Sequence, residues 1–271
     1  MTKLDLGSFG VLLDVSADGT HRTEAAALEA LGFGTIWLPG GQIDRLSRLA
    51  EIAAATRSAR VGSAIIPAGV YEPGAVSQLY AELEASAPGR FVAGLGGPQE
   101  PRPIAALNDY LDRLDVPASR LILAALGPRK LELARDRAAG AILLLVTPDY
   151  VETARALLGD QATLVIDVMV VLDDDAARAR ETARAPLRFL SGVPGYRDSF
   201  SRMGFADAEV EALSDRLVDE LVIWGNPATV TARLGDLRDA GADHIALHVR
   251  HNADQPAPLA AARQLAPLLR S

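Results

Sequence analysis

Arg120-Leu-Ile-Leu-Ala-Ala-Leu-Gly-Pro-Arg-Lys-Leu-Glu-Leu-Ala-Arg-Asp-Arg-Ala-Ala-Gly-Ala-Ile-Leu-Leu-Leu-Val146 is the stretch that decides the fold class of this chain. An apolar run, Leu121 to Leu126, stops at Gly127. Pro128 stands where a helix begins, Arg129 and Lys130 follow, and apolar residues at helical spacing lead to a second apolar run, Ala141 to Val146. The pattern predicts strand, tight turn, helix, strand. Proline suits a first helical turn because its missing N–H has no intrahelical partner there, and glycine lets a ligand approach the backbone closely. Free amides at a helix start with two cations beside them suit a phosphate. An ordinary strand-to-helix turn with solvated charges accounts for the same residues equally well.

The same alternation runs outward in both directions. Strand-like runs fall at Phe9 to Leu13, Thr35 to Leu38, Arg60 to Ile66, Phe91 to Leu95, Leu121 to Leu126, Ala141 to Val146, Leu164 to Leu172 and His244 to Val249. Helical spacing separates them, for example over Glu24 to Leu31, Leu46 to Thr56, Ala75 to Ala87, Ile104 to Leu114 and Tyr150 to Leu158. Strict alternation implies parallel strands joined by right-handed crossovers, and strands apolar throughout imply a sheet covered on both faces. Eight such units in 271 residues predict an α/β fold of the (β/α)8 TIM-like barrel type, a single domain over residues 1–271. Residues 173–226, between the seventh and eighth strands, break the rhythm. Helical patterns and the Ser191-Gly-Val-Pro-Gly-Tyr196 punctuation, with no strand evident, predict a helical insertion that walls or lids the barrel mouth.

Composition narrows the function classes. A net charge of -8 and the lack of any Lys/Arg block argue against nucleic acid as a partner. No apolar stretch approaches the ~20 residues that span a bilayer, so no membrane association is expected. The absence of cysteine removes disulfides, thiolate nucleophiles and Cys-ligated metals. The opening Met1-Thr-Lys-Leu-Asp-Leu-Gly7 does not read as a signal peptide, so a cytoplasmic location is expected.

Several segments together are similar to a known superfamily: Phe9-Gly-Val-Leu-Leu13, Ala27-Leu-Glu-Ala-Leu-Gly-Phe-Gly-Thr-Ile-Trp-Leu38, Ala59-Arg-Val-Gly-Ser-Ala-Ile-Ile66, Pro88-Gly-Arg-Phe-Val-Ala-Gly-Leu-Gly96 and Ala124-Ala-Leu-Gly-Pro-Arg129. Asp215-Arg-Leu-Val-Asp-Glu-Leu-Val-Ile-Trp-Gly225 and Ala240-Gly-Ala-Asp-His-Ile245 continue the likeness nearly end to end. The chain resembles the luciferase-like monooxygenase superfamily, and within it the actinobacterial branch of probable coenzyme F420-dependent oxidoreductases. The resemblance implies a flavin or deazaflavin at the carboxyl ends of the strands, a small-molecule substrate and a homodimer. It assigns three walls of a cofactor site: Ala64, Ile65 and Ile66, at a bulge that often contains a non-proline cis peptide; Leu95, Gly96 and Gly97; and Leu126, Gly127, Pro128 and Arg129, which would hold the phosphate.

Catalytic groups transfer less readily. The Asp-His pair often found after strand two in related F420 enzymes is replaced by Leu38-Pro39-Gly40-Gly41, and the segment Gly97-Pro-Gln-Glu-Pro-Arg-Pro103 is short. Asp14, after strand one, sits on the face where catalytic groups collect, although a solvated turn carboxylate reads the same way. Tyr71 and Glu72 follow strand three and could handle a proton, or Glu72-Pro73-Gly74 simply starts a helix. His244 and His248, an even number apart, share a strand face, and His248 or Arg250 would line the pocket. With His251 they form no credible metal set. Trp37 and Trp224 read as packing residues, Trp224 with a possible border on the cofactor. Three functions fit: hydride transfer with F420, FMN-dependent monooxygenation, and a cofactor-binding relative without catalysis.

Overall fold

The structure is a computed structural model describing residues 3–15, 19–97 and 102–269. Along the chain run β1 (Phe9–Leu12), α1 (His21–Ala30), β2 (Thr35–Pro39), α2 (Ser47–Ala55), β3 (Arg60–Ala64), β4 (Ile66–Pro67), α3 (Pro73–Ser86), β5 (Phe91–Gly96) and α4 (Pro103–Asp112). There follow β6 (Leu121–Ala124), α5 (Pro128–Arg137), β7 (Gly140–Leu144), α6 (Pro148–Leu158), β8 (Thr163–Leu172), α7 (Ala176–Leu190), α8 (Pro194–Arg202), α9 (Asp207–Ala212) and α10 (Asp215–Leu221). The chain closes with β9 (Ile223–Gly225), α11 (Pro227–Asp239), β10 (His244–Val249) and α12 (Pro258–Leu269). Proline is the first residue of α3, α4, α5, α6, α8 and α11, the position where its fixed φ and missing N–H cost least.

All strand pairs are parallel, in the order β10-β1-β2-β3-β5-β6-β7-β8, and β10 pairs with β8 to close the ring. β3 and β4 are halves of one barrel strand parted at Ile65, so the ring has eight strand positions, as the sequence pattern predicts. β8 is long and outlasts β7; beyond the register Leu144↔Asp167 its free edge is taken by β9, which pairs Val170↔Ile223. The expectation of no strand within 173–226 is therefore corrected: α7 to α10 are helical, but Ile223-Trp-Gly225 extends the sheet. Three residues are too short for an alternation signal to register. The sixth strand ends earlier than expected as well, because Leu145 turns the chain at φ 57.

Side-chain alternation sorts the strands into layers. Leu164, Ile166 and Val168 of β8 face outward into the core shared with the helices, while Val165 points into the barrel with Leu12, Trp37, Val92, Ile122 and Ala246. Farther along the same inward row, Met169 and Val171 face the insertion. There they pack with Ala179, Leu187, Phe200 and Leu217 into a separate core. The insertion is thus anchored on the upper half of β8, over the barrel mouth.

Candidate functional site

The inward residues shrink toward the carboxyl ends of the strands: Ala64, Gly96 and Ala124 end their rows, and a cavity of 1480 Å³ opens above them. Ile65, Ile142 and Leu144 complete its apolar floor, and Val193 and Tyr196 of the insertion form the opposite wall. The Ala64–Ile65 peptide bond at its edge is cis. Of the residues assigned by resemblance, Ala64, Ile65, Gly96, Gly97, Leu126, Gly127, Pro128 and Arg129 line this one cavity. Ile66 and Leu95 do not: their side chains are fully buried in the outer core, Leu95 because it alternates with the inward Gly96, and Ile66 because the break at Ile65 resets the alternation and pairs it with Leu95. Gly96 has a reason of its own to be glycine, since a Cβ there would stand 2.2 Å from Cδ1 of Ile65. Residues 98–101 of the short Gly97–Pro103 segment lie outside the described residues.

The β6–α5 turn is built as the sequence suggests. Gly127 precedes the helix with no side-chain cap, whereas the next helix, α6, is capped by Thr147 accepting from the Tyr150 amide at 3.3 Å. The carbonyl of Leu126 is held by two donors, the Tyr150 hydroxyl at 2.6 Å and Nη1 of Arg202 at 3.3 Å. Among the described residues the amides of Gly127 and Arg129 donate to no protein acceptor. A Cβ on Gly127 would meet the Arg202 guanidinium at 3.5 Å, so this cation from α8 overhangs the turn. Arg129 is exposed, while Lys130 is half-buried and burial pulls its ammonium below the ordinary lysine range. Unpaired amides, a positive helix end and the cations Arg202 and Lys130 make an anion cradle.

The structure separates the polar candidates. Asp14 accepts a hydrogen bond from Gln42 Nε2 at 2.6 Å and lies outside the cavity lining. Tyr71 is spent on packing: its hydroxyl donates to the Ile43 carbonyl at 2.7 Å and its carbonyl accepts from Tyr110 at 2.9 Å. Glu72 is exposed at the start of α3, and Trp224 donates to Asp219 Oδ1 at 2.7 Å beneath Arg180. Neither tryptophan lines the cavity, and neither do His248 and Arg250, which the sequence places there: His248 stands behind Asp167, and Arg250 behind His248.

Asp198 lines the cavity from the exposed side of α8; the buried carboxylate that lines it, Asp167, was not singled out from the sequence. Asp167 sits in mid-β8, 5% exposed, with Oδ1 buried and without a hydrogen-bond partner. His248 faces it across the β8–β10 pairing, Nδ1 at 3.4 Å from that oxygen and also unpartnered. Tyr196 completes the group from above; burial, and then the charge of Asp167, push its phenol above the usual tyrosine range, so it stays a neutral donor. The signal was available: Asp167 is the one charge in Thr163-Leu-Val-Ile-Asp-Val-Met-Val-Val-Leu172.

A family model for luciferase-like monooxygenases matches residues 17–114 and 98–244. The chain belongs to this family. Solved structures share its fold at low identity. An F420-dependent secondary alcohol dehydrogenase in complex with an F420-acetone adduct is 16% identical, with 100% of both chains covered and a TM-score of 0.74. The coenzyme F420-dependent tetrahydromethanopterin reductase from Methanopyrus kandleri is 18% identical, with 96% of this chain and 97% of that one covered and a TM-score of 0.74. The oxygenating constituent of 3,6-diketocamphane monooxygenase from Pseudomonas putida, in complex with FMN, is 14% identical, covering 96% and 98% at a TM-score of 0.66. No curated protein sequence matches the chain significantly. The family makes the protein a luciferase-like oxidoreductase or monooxygenase by fold and sequence, and no helix among the described residues is long and apolar enough to cross a membrane.

Proposed function

We propose that this protein is an F420-dependent oxidoreductase that transfers a hydride between the deazaflavin and a small organic substrate. One observation carries the reading: a single cavity joins an anion cradle at Gly127 to an apolar, side-chain-poor wall at Ala64, Ile65, Gly96 and Gly97. A phosphate-bearing tricyclic ring system needs both, at opposite ends of one site. Leu126, Gly127, Pro128 and Arg129, with Lys130 and Arg202, would hold the phosphate, and the Ala64–Ile65 and Gly96–Gly97 wall would back the ring. The bound deazaflavin would supply two-electron hydride chemistry that the side chains present cannot perform themselves.

The chain's own residues bind, orient and exclude water. The Leu126 carbonyl, pinned by Tyr150 and Arg202, sets the direction of the turn amides. α8 carries Tyr196 and Arg202 across the mouth, so one helix closes over both the reacting end and the phosphate end. Such closure strengthens the electrostatic interactions inside. Calorimetric titration of the purified protein with F420 and with FMN tests the reading. Saturable F420 binding, tighter than FMN binding, is expected. A preference for FMN would transfer the site to the FMN-dependent monooxygenase reading, to which the FMN-bound relative lends support.

A further inference from the structure

Burying a carboxylate in an apolar strand is costly unless it is paired and hydrogen-bonded. Asp167 has neither compensation in full: Oδ1 accepts no hydrogen bond, and the nearest basic atom, His248 Nδ1, stops at 3.4 Å. The state of that imidazole follows from its other nitrogen. Nη1 of Arg250 lies 3.3 Å from His248 Nε2, and a guanidinium can only donate, so Nε2 accepts and a neutral ring carries its proton on Nδ1, toward Asp167. Arg250, His248 and Asp167 thus form a directed chain that ends on the buried Oδ1 and leaves the other oxygen of this cavity-lining carboxylate for a ligand.

The surroundings limit what that oxygen can serve. Around Asp167 the floor is apolar, formed by Ile142, Leu144, Ala64 and Ile65, and the facing polar group is the neutral Tyr196 phenol. Of the cations that line the cavity, Arg129 and Lys130 belong to the β6–α5 turn, Arg202 overhangs that turn from α8 and Arg102 precedes α4, and none of them pairs with Asp167. An anionic substrate would meet a carboxylate charge that no arginine or lysine pairs with, whereas a hydroxyl or carbonyl oxygen would find an acceptor in Asp167 and a donor in Tyr196.

We propose that Asp167 is the acid–base residue of the site, that His248 positions it, and that the substrate is an uncharged organic alcohol or the corresponding carbonyl compound. The assignment rests on the cofactor reading above. In the oxidising direction the O–H bond breaks and its proton passes to the Asp167 carboxylate. The O–H electron pair becomes the second bond of the carbonyl, and the carbinol C–H bond breaks, its pair leaving with hydrogen as hydride to the oxidised deazaflavin. The alcohol is oxidised and the deazaflavin reduced; in reverse, protonated Asp167 returns the proton to the carbonyl oxygen.

The test combines three readouts on wild type, Asp167→Asn and His248→Gln. Nitrogen NMR of the apoprotein should show His248 protonated on Nδ1, with its ring signals displaced by cyclohexanol in wild type and not in Asp167→Asn. Fluorescence titration should show F420 bound by both Asp167→Asn and wild type within about threefold, since neither the turn nor the ring wall is touched. Single-turnover reduction of F420 by ethanol, propan-2-ol or cyclohexanol should fall roughly 100-fold or more in Asp167→Asn, the lower end of what a positioned general base contributes. His248→Gln should lose less, and lactate should be a poor donor in wild type. Wild type that does not bind F420 defeats the cofactor reading alone, and the NMR arm then decides the role of Asp167. An Nε2-protonated His248, ring signals indifferent to Asp167→Asn, unchanged turnover in that variant, or F420-loaded wild type that oxidises lactate in preference to the neutral alcohols would each overturn the proposal.

Discussion

His244 and His248 stand four residues apart on the same face of one strand, and the structure gives them opposite fates. His244, at the amino end of β10, is 1% exposed with both nitrogens satisfied: Nδ1 donates to the Gly7 carbonyl at 2.7 Å, and Nε2 accepts from Trp37 Nε1 at 3.0 Å. Burial lowers its pKa to about 4, so it is a neutral packing residue. His248, at the carboxyl end, has an unpartnered Nδ1 aimed at Asp167 and a cavity nearby. What differs is the filling of the barrel. At the amino end glycines make room for one large ring: a Cβ at Gly62 would lie 2.3 Å from the Trp37 ring, and one at Gly10 2.8 Å from His244. At the carboxyl end Ala64, Gly96 and Ala124 have no comparable ring packed over them, and the space above them is the site.

The sharpest way to break this contrast is to empty the filled end. Trp37→Ala removes a fully buried ring that Gly62 cannot replace, and should cost about 3–5 kcal/mol in urea unfolding. A loss below about 1 kcal/mol would mean that the amino end is not the plug described.

A pH series separates the two histidines next. The unfolded imidazole of His244 titrates near 6.5 and the folded one at about 4, so between these values the unfolded chain holds more protons and stability rises with pH. The contribution is complete above 6.5 and is lost as pH falls toward 4. Wild type should lose roughly 2 kcal/mol more than His244→Gln between pH 7 and 5. Glu29 and Glu51 stay out of this window. Despite burial, backbone amides hold Glu29 at about 2, and hydrogen bonds from Arg45, His21 and Arg22 do the same for Glu51. Equal slopes in the two proteins would remove the assigned role of His244.

At the open end, effects should appear in binding more than in folding. Gly127→Val places its Cβ at an ordinary contact distance from Arg202, so the fold should survive. F420 affinity should drop about tenfold or more, because each backbone hydrogen bond to a charged group is worth about 1.5–3 kcal/mol. Arg129→Ala, at an exposed and screened position, should change affinity by about threefold or less. The reverse order would place the anion on side chains and not on the turn. Asp167→Asn should leave stability unchanged or raise it by about 1 kcal/mol, since it relieves a buried charge whose pairing is incomplete. A loss of several kcal/mol would make Asp167 a structural residue.

The barrel was legible because its signals are repeated. Eight apolar runs and helix-starting prolines state the same topology many times, and the turn at Gly127-Pro128 declares itself locally. The site was legible only where it is made of backbone. Gly127 could be placed by local pattern and Ala64, Ile65 and Gly96 by resemblance, but Ile66 and Leu95 fell on the wrong side of the strand because a run of apolar residues carries no phase. Asp14 and Tyr71 looked suitable by position, yet Gln42 and the Ile43 carbonyl claim their polar atoms, and such partners across the fold leave no local trace. Asp167 and His248 are 81 residues apart, and only the β8–β10 register brings them together. Strand β9 escaped because three residues hold no period.

The most direct measurement is an F420 titration followed on individual side chains by NMR, using the indole of Trp37 and the ring nitrogens of His244 and His248. Saturable shifts at His248, with Trp37 and His244 unmoved, are the expected result and place the cofactor at the open end of the barrel. Shifts at Trp37 and His244, or no saturable shift at His248, would contradict it.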